Sequence, residues 1–294
     1  MRLDDLDPSS NARDLGSGRS GFGGGGGGLG GLIGLLPLLL GRKMGFGTII
    51  IIAIVGYFMF SGGGGLGLSG GTPATQQAAD GVACDTQAEL FSCRVLTSTE
   101  QTWGAIFREQ GQSYNPAGLR FYQGGAQSGC GAAQSAMGPF YCPTDQNIYL
   151  DTAFFDEMAQ RMGAGGDFAQ AYVIAHEVGH HIQGLTGTLD TARGLQARAS
   201  QAEGNAVQVK VELQADCYAG VWAGRNRDRI EPGDVEEGLR AAHQIGDDTL
   251  MKSAGRHPVE SMFTHGSSEQ RMAALKRGID SGNPQACEAY SLRG

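Results

Sequence analysis

From Met44 to Phe60 the chain reads MGFGTIIIIAIVGYFMF without one charged residue, and such a run has few stable places in water. About 20 apolar residues cross the hydrocarbon of a bilayer, and uncharged sequence continues from Ser61 as far as Leu68. Tyr57, Phe58 and Phe60 stand where aromatic rings favour the membrane interface. The run therefore predicts a transmembrane helix over residues 44–62. A cleaved signal peptide fits poorly, because no small-x-small site directly follows the apolar run.

The flanks extend this picture. Leu29 to Leu40 is a second apolar stretch, too short to span alone and interrupted by Pro37; Gly41, Arg42 and Lys43 separate it from the longer run. It is a candidate membrane-dipping element. Nearly half of the 50 glycines fall between Gly16 and Gly71, so glycine marks this region and leaves the remainder close to globular composition. Residues 1–43 are expected to be a glycine-rich, largely disordered segment, since they bury too little to offset the entropy of ordering. Residues 63–80 read as a flexible linker and 81–294 as the folded domain. Arg13, Arg19, Arg42 and Lys43 precede the span, and no Lys or Arg follows it until Arg94. Positive charge is retained in the cytoplasm, so a single pass is expected, with the N-terminus inside and the folded domain outside.

Composition narrows the function. A formal net charge of -8 and a pI near 5.2 remove the attraction to phosphate on which nucleic-acid binding rests. Nucleic acid is not an expected partner. Cys84, Cys93, Cys130, Cys142, Cys217 and Cys287 all lie C-terminal to the apolar run, and their even number suits disulfides in an oxidising compartment.

Within the folded region, Asn147 to Phe155 carries strand formers, and Phe168 to Gln183 has apolar residues at helical spacing before Gly184. Further helices are expected over Glu203–Ala223, Asp234–Gln244 and Ser267–Ile279, the last opened by a capping box of Ser267 with Gln270. The helix over Phe168–Gln183 contains His176-Glu177-Val178-Gly179-His180, an H-E-x-x-H sequence. A separation of four places both imidazoles on one face about one turn apart, where they can chelate one Zn²⁺. Glu177 beside them is suited to act as general base on a zinc-activated water and then as acid toward the leaving amine.

A catalytic zinc needs a third protein ligand. Glu212, on the next long helix with Asp216 four residues later, would complete a His₂Glu set, leaving Asp216 to hydrogen-bond a ligand imidazole. Asp190 is the competing third ligand. The metzincin pattern fails, because Gln183 and Thr186 stand where Gly and His are required. His181 points about 100° around the helix from His180 and is read as a packing residue. His265, ending a loop, and Arg271, early in the last helix, are candidate donors to a developing oxyanion. His243 and His257 are read as structural or surface residues. The same ligands accept Co²⁺ or Mn²⁺, so ligand type alone does not select zinc.

The segments CGAAQSAMGPFYCPTDQNIYLD, AHEVGHHIQ, VELQADCYAG and FTHGSSEQR, with Ser10-Asn11 and Asp14 near the start, together resemble the neutral zinc metallopeptidase family of bacterial membrane proteins. More distantly, Glu212 with Asp216 looks like the E-x-x-x-D helix of gluzincins, and His265 with Arg271 is similar to the C-terminal histidine and arginine of CAAX-type membrane peptidases. The resemblance implies an α+β, zincin-like fold, predominantly helical with a small sheet. It implies one catalytic zinc, a protein or peptide substrate and a place in the bacterial cytoplasmic membrane. It further implies that His265 and Arg271 face the substrate carbonyl and help organise the site, Arg271 standing with Asp216 around the metal ligands, and that the strand near Ile148 to Leu150 binds substrate in extended form beside the active-site helix. Cys130 and Cys142 flank a compact loop and Cys84 and Cys93 another, so these two pairs, with Cys217–Cys287 left over, are the expected disulfides. Two other readings stay open: a catalytically silent zinc-binding scaffold at the membrane, and a zinc hydrolase acting on a non-peptide amide.

Overall fold

The computed structural model describes residues 1–17 and 83–292. The apolar run, the short stretch before it and the linker lie outside these residues. Among the described residues no helix is long and apolar enough to cross a membrane.

The elements follow one another as β1 (Ala12–Ser17), α1 (Gln87–Glu109), β2 (Gly118–Gln123), β3 (Gly125–Ser128), β4 (Gly131–Gln134), β5 (Phe140–Cys142) and β6 (Asn147–Leu150). Seven helices complete the described fold: α2 (Ala153–Met162), α3 (Asp167–Leu185), α4 (Thr188–Gln196), α5 (Gln201–Arg225), α6 (Asp234–Gln244), α7 (Asp247–Ser253) and α8 (Ser268–Ser281). This is a mostly helical α+β architecture. The sheet has the order β1-β2-β6-β5, with β1, β2 and β6 parallel and β5 antiparallel to β6; β3 and β4 form a separate hairpin.

Local chemistry sets several helix starts. Thr86, Ser200 and Ser267 each cap a helix through a reciprocal box with Glu89, Glu203 and Gln270, which satisfies backbone N–H groups that have no partner inside the helix. The expected helices over 168–183, 203–223, 234–244 and 267–279 are all present: the first two are longer by one or two residues at each end, the third keeps its bounds, and the last runs from Ser268 to Ser281 with Ser267 as its cap. The strand expected over Asn147–Phe155 stops at Leu150. There Asp151 accepts a hydrogen bond from the Ala153 backbone N–H, the chain turns, and Phe154 and Phe155 become buried residues of α2.

The expectation of disorder fails for residues 1–17. Leu3, Leu6 and Ala12 are core residues, and β1 takes its backbone partners from β2. Ser9 and Asn11 both hydrogen-bond the Glu100 carboxylate on α1. The folded body thus comprises 1–17 together with 83–292, and does not begin at residue 81. Composition concealed this because the strand that stabilises β1 lies far along the chain.

The region around His176 and His180 depends on close helix packing. Gly179 of α3 lies against α5, where a Cβ would come within 2.9 Å of the Ala215 carbonyl oxygen. Gly220 and Gly278 allow α5 and α8 a similar approach, since a Cβ on either would overlap the other helix's backbone. Three disulfides join Cys84–Cys93, Cys130–Cys142 and Cys217–Cys287, the pairing expected. The first ties the approach to α1, the second holds the β3–β4 hairpin to β5, and the third fastens the C-terminal turn over Pro284–Tyr290 to α5.

Candidate metal centre

Helices α3 and α5 bring the predicted ligands together. His176 and His180 project from α3, and Glu212 from α5 places its Oε2 3.2 Å from His176 Nε2 and 3.6 Å from His180 Nε2. The three ligand atoms all lie within 4.8 Å of one another. Bonds of about 2.0–2.1 Å to a tetrahedral zinc put its ligand atoms roughly 3.3 Å apart, so the donor set fits zinc in type and spacing. Asp190, the competing ligand, is exposed on α4 beside Arg193 and takes no part.

Each donor is oriented by a second residue. Asp216 accepts a hydrogen bond from His176 Nδ1 at 2.8 Å, which fixes the ring with Nε2 as the nitrogen turned toward Glu212. Gln183 Oε1 does the same for His180 Nδ1 at 2.8 Å, while its amide donates to the Val211 carbonyl and to Gln214. Gln208 Nε2 donates to Glu212 Oε1 at 2.8 Å, so Oε2 is the oxygen left facing the imidazoles.

A carboxylate buried as fully as Asp216 needs compensation. Arg271 supplies it with Nε and Nη2, each 2.9 Å away, and the Tyr172 hydroxyl donates a further bond. Burial works against ionisation of Asp216, but the Arg271 guanidinium outweighs it and holds the pKa at about 2. Burial likewise opposes a charge on His176, yet Asp216 and Glu212 raise its pKa to about 10. The cluster therefore attracts positive charge, which either a proton or a metal cation can supply.

This geometry agrees with the wider relationships of the chain. A family model described as "Putative neutral zinc metallopeptidase" matches residues 1–290. The chain belongs to that family. The uncharacterized protein YpfJ of Escherichia coli K12 is 45% identical over 252 residues, 84% of this chain and 87% of its own. An uncharacterized protein of Mycobacterium bovis is 37% identical over 224 residues, 71% of this chain and 74% of its own. No solved structure matches the chain.

In this member of the zinc metallopeptidase family the ligands open onto a cavity of about 460 Å³. Met137, Pro139, Phe140 and Tyr141 contribute to its lining, as do Leu189, Ala192 and Arg193 of α4. Glu177 faces the same cavity and is buried. Burial lifts its carboxyl above the ordinary range, an effect that His180 and His176 partly offset.

His265 also reaches the cavity. Asp247 fixes its loop: one carboxylate oxygen accepts the backbone N–H groups of Thr264, His265 and Gly266, and the other lies 3.3 Å from His265 Nδ1. Burial resists a charge on His265, but Glu212 and Asp247 outweigh it and raise its pKa. Arg271 stands with Asp216 behind the histidines, as expected, and also lines the cavity. Its guanidinium is committed to Asp216, Tyr172 and the Ile245 carbonyl, so it steadies the ligand sphere.

His181 is a packing residue, as expected, buried between the Tyr141 hydroxyl and the Asn115 carbonyl. The strand near Ile148 to Leu150 does not offer the expected edge. β6 is paired on both sides, whereas among the described residues β5 has a partner on one side only and contributes Phe140 and Tyr141 to the cavity. Gln183, Gln208, Tyr172 and Asp247 were not singled out by sequence reasoning. Three of them carried a signal: Gln183 follows His180 by three, while Tyr172 and Gln208 precede His176 and Glu212 by four, spacings that share a helix face.

Proposed function

We propose that this protein is a membrane-attached zinc metalloendopeptidase of zincin type, with His176, His180 and Glu212 as zinc ligands and Glu177 as general base. The observation that carries the proposal is the convergence of two imidazole Nε2 atoms on Glu212 Oε2, with both Nδ1 atoms held by separate acceptors. A zinc ion in such a site supplies a Lewis acid and lowers the pKa of water. The buried Glu177 carboxylate takes the proton from the attacking water and later delivers it to the leaving amine.

His265, held by Asp247, is placed to donate to the oxyanion that develops on the scissile carbonyl. The free side of β5 gives an extended peptide a backbone to pair with, and the apolar lining favours apolar side chains next to the cleaved bond. The run Met44–Phe60 supports attachment to the bacterial cytoplasmic membrane, with the catalytic body outside the cytoplasm, where its disulfides persist.

Cleavage of unfolded casein by the purified full-length chain tests this reading. Chelation is expected to abolish cleavage and a stoichiometric return of zinc to restore it. Zinc-dependent hydrolysis of small amides with casein left intact would favour an amidohydrolase. Zinc binding without any hydrolysis would favour a scaffold.

A further inference from the structure

Hydrogen bonding within the sheet fixes which way the backbone of β5 faces. The Gly118 N–H donates to the Gln146 carbonyl, so in the parallel pair of β2 with β6 the backbone groups of Gln146 and Ile148 turn toward β2. Backbone groups alternate along a strand, so those of Asn147 and Tyr149 turn toward β5. Asn147 stands opposite Cys142, and Tyr149 opposite Phe140. Phe140 and Cys142 therefore bond to β6. Tyr141, between them, directs both its N–H and its C=O to the side on which β5 has no partner strand among the described residues. Phe140 and Tyr141 lie in the cavity wall.

Donors are scarce on this edge. The Tyr141 N–H is taken by Glu177, whose buried carboxylate accepts it. The residues two positions to either side are Pro139 and Pro143, and proline has no N–H to give. The Tyr141 hydroxyl is engaged with buried His181 at 3.1 Å, which holds the residue in place at the wall. What remains is the Tyr141 carbonyl, for which the described residues supply no donor. An edge that offers a carbonyl and withholds N–H groups does not form the two-way ladder of an ordinary antiparallel pair.

We infer that the β5 edge binds a peptide by acceptance alone: the Tyr141 carbonyl takes one backbone N–H of the substrate, while the N–H that would complete the ladder stays with Glu177. The inference rests on the metallopeptidase reading of this site and narrows its strand pairing to one direction of donation. It also defines the substrate class. A bound peptide needs a secondary amide at the position facing Tyr141, and a proline or an N-alkylated residue is excluded there. The carbonyl of that same substrate residue adds no affinity, because its donor is already committed.

The test uses the full-length zinc-loaded chain and a peptide spanning a cleavage site mapped in unfolded casein. In one series single non-scissile amides become esters, which removes an N–H with little change of shape; in a second, single non-scissile carbonyls become thioamides, which weakens an acceptor. One ester is expected to raise KM about 10-fold, the effect of one lost hydrogen bond, with kcat little changed, and no thioamide to have a comparable effect. Tyr-Cys occurs once in the chain, at 141–142, so carbonyl-labelled tyrosine with nitrogen-labelled cysteine reports the Tyr141 carbonyl by NMR. In Glu177→Gln, which keeps a side-chain oxygen for the Tyr141 N–H, that resonance should move when the parent peptide binds and stay in place when the sensitive ester saturates the site. A thioamide loss equal to the ester loss would reveal a two-way ladder and overturn the inference. Tolerance of every ester, or an unmoved Tyr141 carbonyl beside a sensitive ester, would overturn it as well. In those cases the parent peptide is still cleaved and the metallopeptidase reading stands; failure to cleave casein or any peptide would remove that reading and the inference with it.

Discussion

The proposed metal centre is organised residue by residue so that each candidate ligand has one atom to offer and one atom occupied. Gln208 and Gln183 contribute no charge, yet they decide which Glu212 oxygen and which His180 nitrogen face the metal position. Residues that orient ligands typically cost 10–100-fold in metal affinity when lost. Gln208→Leu is therefore expected to lower zinc affinity by about that factor, read by competition with a chromogenic chelator. Arg271→Gln should act on the fold instead, because it leaves the buried Asp216 carboxylate without its cation. A loss of about 3–5 kcal/mol is expected in denaturant unfolding. At this scale the sequence was informative where spacing alone forces proximity: four residues of helix bring His176 and His180 together wherever that helix lies. Glu212 was legible only as a candidate, since its place depends on the crossing of α3 with α5. The place of Arg271 beside Asp216 was legible through the family resemblance and not through any local pattern, because the contact spans 55 residues of chain.

Among the elements, the α3–α5 crossing sets the spacing of the site, and Gly179 makes it possible. A methyl group there would press on Ala215, so Gly179→Ala should cost about 1–3 kcal/mol through overpacking. Gly278→Ala, which would drive a Cβ into the Cys217 carbonyl, should cost more; thermal unfolding of the two variants measures the order. The junction of α7 and α8 carries a pH dependence. Burial works against the charge of Asp248, but the Ser268 N–H, the Ser268 hydroxyl and Lys252 hold its pKa at about 2. A carboxylate with a depressed folded pKa stabilises above its ordinary range and loses that contribution as pH falls toward the folded value. Asp248→Asn should thus be less stable than wild type near neutrality, and the gap should narrow as pH drops below about 4. The long helix α1 was not legible because its buried stripe includes Ser92, Ser98, Thr99 and Thr102. The hydroxyls of Ser92, Thr99 and Thr102 bond backbone carbonyls of the same helix, and that of Ser98 donates to Asn226 Oδ1 and accepts from Trp222 Nε1, which lets polar side chains occupy positions that a hydropathy pattern reserves for apolar ones.

For the whole molecule, the N-terminal residues are part of the body that holds the metal centre. The helical second half was readable from its periodicity and caps, whereas of the sheet only β6 was, because β1 and β2 form a parallel pair separated by more than a hundred residues. Removing residues 1–17 would expose the edge of β2 and the core around Leu3 and Leu6; the shortened chain is expected to unfold at lower denaturant concentration than the intact one. The central claim is that Glu177 performs proton transfer beside a zinc held by three other residues. Zinc content and casein cleavage of the full-length wild type and Glu177→Gln, measured side by side, test it most directly. The account predicts equal zinc in both proteins and a loss of cleavage in Glu177→Gln of about 10²–10⁴-fold. Equal zinc with undiminished cleavage would contradict it.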